Sequence, residues 1–106
     1  MTDTERKVEK IVTHLGLESQ MDVAQEELAE LIQAISKLRR VMQRGLDTPE
    51  NRAKYIAARC HAAEEVADVM NLMLQLIILL RIDDITAFWL EQKLDRTLDK
   101  IEKGEL

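Results

Sequence analysis

The sequence predicts an all-α fold, an antiparallel helical bundle of about four helices in a single domain spanning residues 1–106. Residues that favour helices dominate the chain, and there are only three glycines and one proline to interrupt them. No stretch shows the alternation of apolar and polar residues that is typical of a half-buried strand.

Capping residues and helix breakers predict where the helices begin and end. Thr4 and Ser19 are expected to cap the first two helices, and Gly45 is expected to end the second. Thr48 followed by Pro49 is typical of a helix start, because proline fits the first helical position. The predicted helices are about residues 4–15, 20–44, 49–80 and 84–103.

The overall charge and the apolar runs limit the class of partner. A net charge of −5 argues against a nucleic-acid polymer as the partner, since such proteins present a basic surface. The apolar run at residues 72–80 is too short to cross a membrane, and the first residues lack the apolar core of a signal peptide. We therefore expect a cytoplasmic protein with no membrane contact.

The third predicted helix has one polar stripe in a nearly apolar segment. From residue 66 to residue 80 the polar side chains are Asp68, Asn71 and Gln75, and their spacing continues back to Glu65. An acid in such a helix is costly unless it is protonated, paired or bound to a cation. An ion pair or a polar contact that fixes helix register would be a purely structural explanation.

A second pair of acids, Glu27 and Glu30, lies on the preceding helix. The sequence midpoint between Glu27 and Asp68 is the same as that between Glu30 and Glu65, and it falls in the predicted turn at residues 45–49. In an antiparallel hairpin, equal distance from the turn means equal height, so the four carboxylates should face one another. Such a cluster suits a hard divalent cation, Mg²⁺ or Mn²⁺.

The two acidic motifs resemble the signature of the MazG-like, all-α nucleoside triphosphate pyrophosphohydrolases, which have an ExxE on one helix and an ExxD on the next. The similarity covers about residues 21–103. It implies that Glu27, Glu30, Glu65 and Asp68 are metal ligands and catalytic residues. It also implies hydrolysis of (deoxy)nucleoside triphosphates to monophosphate and pyrophosphate, in a house-cleaning role in the nucleotide pool.

Five further polar residues are candidates for substrate binding. Family members often have basic residues after the second acidic motif, which makes Lys93 and Arg96 candidates for the phosphates; local pairing on a solvated helix surface is the alternative. Asn71 continues the polar stripe and could orient the nucleotide or only fix packing. Gln33 and Lys37 extend the stripe of Glu30 and could reach base or phosphate.

The apolar helix at residues 66–80 also predicts self-association. Four short helices offer little surface to cover it on all sides, so we expect a homodimer or homotetramer with this helix in the interface. Members of the resembled family are commonly dimers or tetramers.

Two other functions compete with the hydrolase. A di-iron carboxylate bundle requires Glu-x-x-His on two helices, and this chain has none. A non-catalytic helical dimerisation or adaptor module, whose acids serve only as surface charge and register control, remains the alternative.

Overall fold

The computed structural model describes all 106 residues and consists of four α-helices without a strand, as the sequence predicts. The helices end close to the predicted boundaries, and the third matches them. They are α1 (Asp3–His14), α2 (Leu17–Gln43), α3 (Pro49–Leu80) and α4 (Asp83–Glu102).

Helices α2 and α3 form a long antiparallel hairpin that dominates the fold. Gly45 ends α2 with a φ of 85°, a left-handed conformation that suits glycine. The Thr48 hydroxyl accepts a hydrogen bond from the backbone N–H of Asn51, and Pro49 follows at the first helical position. The short connection therefore has the chemistry that the sequence predicted.

The first two helix starts differ from the prediction. Thr2, not Thr4, caps α1, through a reciprocal pair of hydrogen bonds with Glu5. Helix α2 begins earlier than expected, with Gly16 at its N-cap and no side-chain cap, so Ser19 lies inside the helix. Helix α1 buries Val8 and Val12 and packs on α3.

Small side chains form most of the contact between α2 and α3. The buried apolar residues of the hairpin are mainly alanines, and Leu72 is the largest of them; the set is Ala24, Ala34, Val41, Ala58, Ala62 and Leu72. Alanine allows two helices to approach closely, because interaxial distance depends on the side chains at the contact. Polar groups on the two helices are thereby brought near one another.

Many of the larger apolar residues of the hairpin are exposed. On α2 the apolar line at Leu28, Ile32, Ile35 and Met42 is 41–66% exposed. The segment 66–80 of α3, expected to be buried on several sides, is only partly covered: Leu72 and Gln75 are buried, and several of its other residues are half buried. Its outer residues are 38–60% exposed: Val66, Met70, Leu74 and Ile78.

Helix α4 lies largely away from the hairpin and has no buried residue. Arg81 takes a left-handed conformation, with φ 53°, at the bend between α3 and α4. Asp83 is the first residue of α4, and no side chain caps this helix. None of the four helices has both the length and the apolar character needed to cross a membrane.

Candidate metal centre

A buried hydrogen bond between α2 and α3 reports the register of the hairpin. The side-chain amide of Gln20 donates to the Oε1 atom of Gln75, and both residues are at least nine-tenths buried. These two residues have the same sequence midpoint as Glu27 and Asp68. The level pairing inferred from the turn length is therefore the pairing that the helices adopt at this height.

Three carboxylates meet about two helical turns further along the hairpin, nearer to the connection between α2 and α3. One oxygen from each of Glu27, Glu30 and Glu65 lies within 4.8 Å of the corresponding oxygens of the other two. Asp68 is exposed at the edge of this group, near enough for its charge to act on Glu27 and Glu65. The structure thus brings the four predicted acids to one place, with three in ligand geometry and Asp68 beside them.

Two of these carboxylates carry oxygens that no protein group satisfies. The Oε2 atoms of Glu27 and Glu65 are buried and have no hydrogen-bond partner. Glu65 as a whole is only 9% exposed. A buried carboxylate without a partner is unfavourable, so a cation or a proton is needed at this point.

The electrostatics of the cluster also favour a bound cation or proton. Partial burial raises the pKa of Glu27, and the charges of Glu30, Asp68 and Glu65 raise it further. Burial is also the main cause of the raised pKa of Glu65, followed by the charges of Glu30 and Asp68, while His61 lowers it. Burial and mutual repulsion both disfavour the charged forms, and a divalent cation would reverse both effects.

The chemistry of the donor set fits a hard cation. All the donor atoms of the group are carboxylate oxygens, which Mg²⁺ and Mn²⁺ prefer, and the group contains no cysteine or histidine. Mg²⁺ usually binds to a few carboxylates together with water and substrate phosphates rather than in a closed protein cage. An open group of three glutamates with one aspartate at its edge suits that arrangement.

An open cavity of about 730 Å³ adjoins the carboxylates and has both acidic and basic walls. Glu30 and Glu65 lie at its acidic wall, together with His61. Two predicted substrate-binding residues, Gln33 and Lys37, also line it. The cavity therefore offers positive charge and a carboxamide next to the acidic group.

Arg40 also lines the cavity, as a second basic residue beyond the predicted set. It lies three residues after Lys37 and seven after Gln33, so it continues the same side of α2. This spacing is the only sequence signal for Arg40, and it is weak because basic residues are common on solvated helix surfaces. Neither Lys37 nor Arg40 forms an ion pair with an acid of the chain.

The remaining polar neighbours are placed as follows. His61 lies one turn before Glu65, with its Nε2 atom 3.9 Å from Oε1 of that glutamate and its side chain half exposed. Asn71 lies one turn after Asp68 and accepts a hydrogen bond of 3.0 Å from the amide of Gln75. Asn71 is therefore tied to the buried pair that holds the register.

Lys93 and Arg96 are not brought to the carboxylates. They line a different cavity, formed by Ile82 and by residues of the first half of α4 that include Trp89. Because α4 lies away from the hairpin, a single chain does not place these two basic residues beside Glu27, Glu30 and Glu65. Their expected role as phosphate ligands has no support from the geometry within one chain.

Comparison with known proteins gives no relative: no family model, curated protein or solved structure matches the chain significantly. The resemblance to MazG-like hydrolases thus rests on the two acidic motifs and their packing.

Proposed function

We propose that this chain is a Mg²⁺-dependent nucleotide pyrophosphohydrolase, which cleaves (deoxy)nucleoside triphosphates between the α and β phosphates to give a monophosphate and pyrophosphate. The observation that carries the proposal is the group of Glu27, Glu30 and Glu65, two of which have buried oxygens without a partner. The similarity of the two acidic motifs to MazG-like enzymes supplies the reaction class.

In this proposal the carboxylates bind the cation and the cavity beside them binds the substrate. Glu27, Glu30 and Glu65 would hold Mg²⁺ (or Mn²⁺), with Asp68 as the exposed fourth acid. When bound, the cation supplies positive charge for the phosphoryl oxygens and lowers the pKa of a coordinated water. The protein groups do the positioning, because a loosely held substrate loses most of the rate advantage.

The residues around the cavity would have different roles in binding the substrate. Lys37 and Arg40 are free of ion pairs and would bind phosphate oxygens on the side away from the acids. Gln33 offers a neutral carboxamide to the same space, whereas Asn71 does not line the cavity and would act from one turn beyond Asp68. His61 contacts Glu65 and would hold its carboxylate in one orientation.

The proposed setting is a cytoplasmic house-cleaning enzyme that removes non-standard or surplus nucleotides, active as a homodimer or homotetramer. The exposed outer residues of α3, Val66, Met70 and Leu74, support self-association, because a large exposed apolar surface favours burial against a partner.

A pyrophosphate-release screen over canonical, deoxy and damaged nucleoside triphosphates with Mg²⁺ tests the reaction. We expect stoichiometric pyrophosphate from at least one triphosphate, and a loss of kcat/KM of about 100-fold or more in Glu65→Gln, since the amide removes a charge from the cluster. Glu64→Gln is the matched control, because Glu64 is the exposed neighbour outside the group. Release of orthophosphate instead of pyrophosphate would contradict the reaction class.

The second candidate is a non-catalytic helical dimerisation or adaptor module, and the extent of exposed apolar surface favours it. This function requires no cation at the carboxylates. It predicts that Mg²⁺ leaves the melting temperature unchanged and that Glu65→Gln is neutral or mildly stabilising. Binding of Mg²⁺ to the folded chain must raise the melting temperature, so a thermal melt separates the two functions.

A further inference from the structure

The chain exposes far more surface than a monomer of its size. Its accessible surface is 8473 Å², whereas a folded monomer of this mass exposes about 6,100 Å². Its radius of gyration is 17.9 Å, whereas a compact domain of this length has about 13 Å. A single copy therefore leaves about 2,400 Å² more surface exposed than a compact monomer would, and its exposed residues include many large apolar side chains.

Helix α4 is the clearest part of this excess. Its apolar stripe consists of Leu90, Leu94, Leu98 and Ile101, spaced four, four and three residues apart, so they share one side of the helix. Every one of these residues is 55–62% exposed, and no residue of α4 is buried. A helix of this length gains most of its stability from packing of its apolar side, which the rest of its own chain does not provide.

Helices α2 and α3 of the same chain have further exposed apolar residues. The α2 line, represented by Ile32 and Ile35, and the outer side of α3, represented by Met70, are each more than half exposed. Two copies that buried their excess against each other would remove about 4,800 Å² in total, within the range of obligate homodimer interfaces. A second copy would therefore supply the apolar surface that α4 needs, and the buried area would be large enough for a stable dimer.

We propose that a second copy of this chain covers the Leu90–Leu94–Leu98–Ile101 stripe of α4. A membrane surface fits less well, because the polar side of α4 mixes acids such as Asp95 and Asp99 with its basic residues and the chain has a net charge of −5. The sequence placed residues 66–80 of α3 in a self-association interface; the structure adds α4 as an interface element. This assignment does not depend on the nucleotide chemistry.

Sedimentation velocity of the full chain over about 1–100 μM tests the assignment, with masses read against the monomer mass of 12.2 kDa. We expect the wild type to sediment at twice the monomer mass or a higher multiple. Leu94→Glu should weaken assembly by about 10- to 100-fold, because it places a charge where the apolar side chain is buried by the partner. Gln92→Glu is the matched control: it introduces the same side chain on the opposite side of α4 and should leave assembly unchanged.

The outcomes separate an interface from a simple loss of folding. Leu94 is 59% exposed in the single chain, so a monomeric protein would tolerate glutamate there. Leu98→Glu provides a second variant, and circular dichroism at a concentration above the dissociation midpoint checks that both remain helical. A wild type that stays at 12.2 kDa throughout would overturn the proposal. So would a Leu94→Glu variant that assembles as well as Gln92→Glu, even if the wild type is a dimer.

Discussion

Replacing Gln75 by leucine tests how the hairpin register is held. Gln75 is 3% exposed, accepts a hydrogen bond from Gln20 and donates one to Asn71. Gln75→Leu removes both bonds and leaves the amide of Gln20, itself 5% exposed, without its partner. A lost hydrogen bond costs about 1 kcal/mol net and an unsatisfied buried amide about 1–3 kcal/mol, so we expect a destabilisation of about 2–4 kcal/mol.

The double variant Gln20→Leu/Gln75→Leu should behave differently from the single one. It removes both polar partners together and replaces them by apolar groups of similar size, which is close to neutral for stability. We expect its free energy of unfolding to return to within about 1 kcal/mol of the wild type, so the coupling between the two sites should be at least about 2 kcal/mol. Urea unfolding followed by circular dichroism measures all four proteins, at one protein concentration because assembly contributes to stability.

The Gln20–Gln75 pair should also affect the carboxylate site, because it helps to set the register of the hairpin. Gln20 and Gln75 share their sequence midpoint with Glu27 and Asp68, so the amide pair fixes the height at which the carboxylates meet. In the double variant we expect a smaller rise in melting temperature on adding Mg²⁺ than in the wild type, although the stability without Mg²⁺ is similar. If the double variant loses the sum of the two single losses, the buried amides do not act as a pair and the reasoning is refuted.

The remaining predictions concern the carboxylates and their surroundings. Because the pKa values of Glu27 and Glu65 are raised above 4.5, the folded chain binds more protons than the unfolded chain just above that pH. Without metal, stability should therefore fall as pH rises through this window, and saturating Mg²⁺ should remove the fall in a series of thermal melts. Glu65→Gln should raise the melting temperature of the metal-free protein and abolish the response to Mg²⁺; a response equal to that of the wild type would remove Glu65 from the metal site. Lys37→Ala should raise the KM for a triphosphate by about 10- to 100-fold in steady-state assays while leaving the Mg²⁺ response unchanged, since Lys37 lines the cavity beside the acids. Ala34→Leu should cost about 1–3 kcal/mol in urea unfolding, because Ala34 is 3% exposed and a larger side chain there pushes the helices apart.

Local chemistry explains which parts of this architecture could be predicted from the sequence. Thr48, Pro49 and Gly45 have strong conformational preferences, so the turn between α2 and α3 and the start of α3 were predicted correctly. Once the turn is known, the register follows from counting residues, and the meeting of Glu30 with Glu65 follows from the register. No long-range information is needed for these steps.

The position of α4 could not be predicted in the same way. The chain bends at Arg81, which adopts a left-handed conformation more usual for glycine and so gives no local signal in the sequence. Helix periodicity identifies α4 and its apolar side but does not say what covers that side. Within one chain α4 does not pack beside the acids, so the expectation that Lys93 and Arg96 reach the phosphates stays a prediction about the assembled protein.

The carboxylate site and the exposed apolar surfaces have a common origin in the way this hairpin is built. Helices α2 and α3 meet through alanines such as Ala24 and Ala62, which bring the backbones close but bury little apolar area. Close approach is what places Glu27 and Glu65 near enough to share a cation. Because alanines fill most of the contact, many of the larger apolar side chains lie on the outside of the hairpin, where they need a partner surface. A hairpin specialised in this way for clustering acids would depend on assembly for much of its stability, so the metal response and the assembly state should be measured on the same samples.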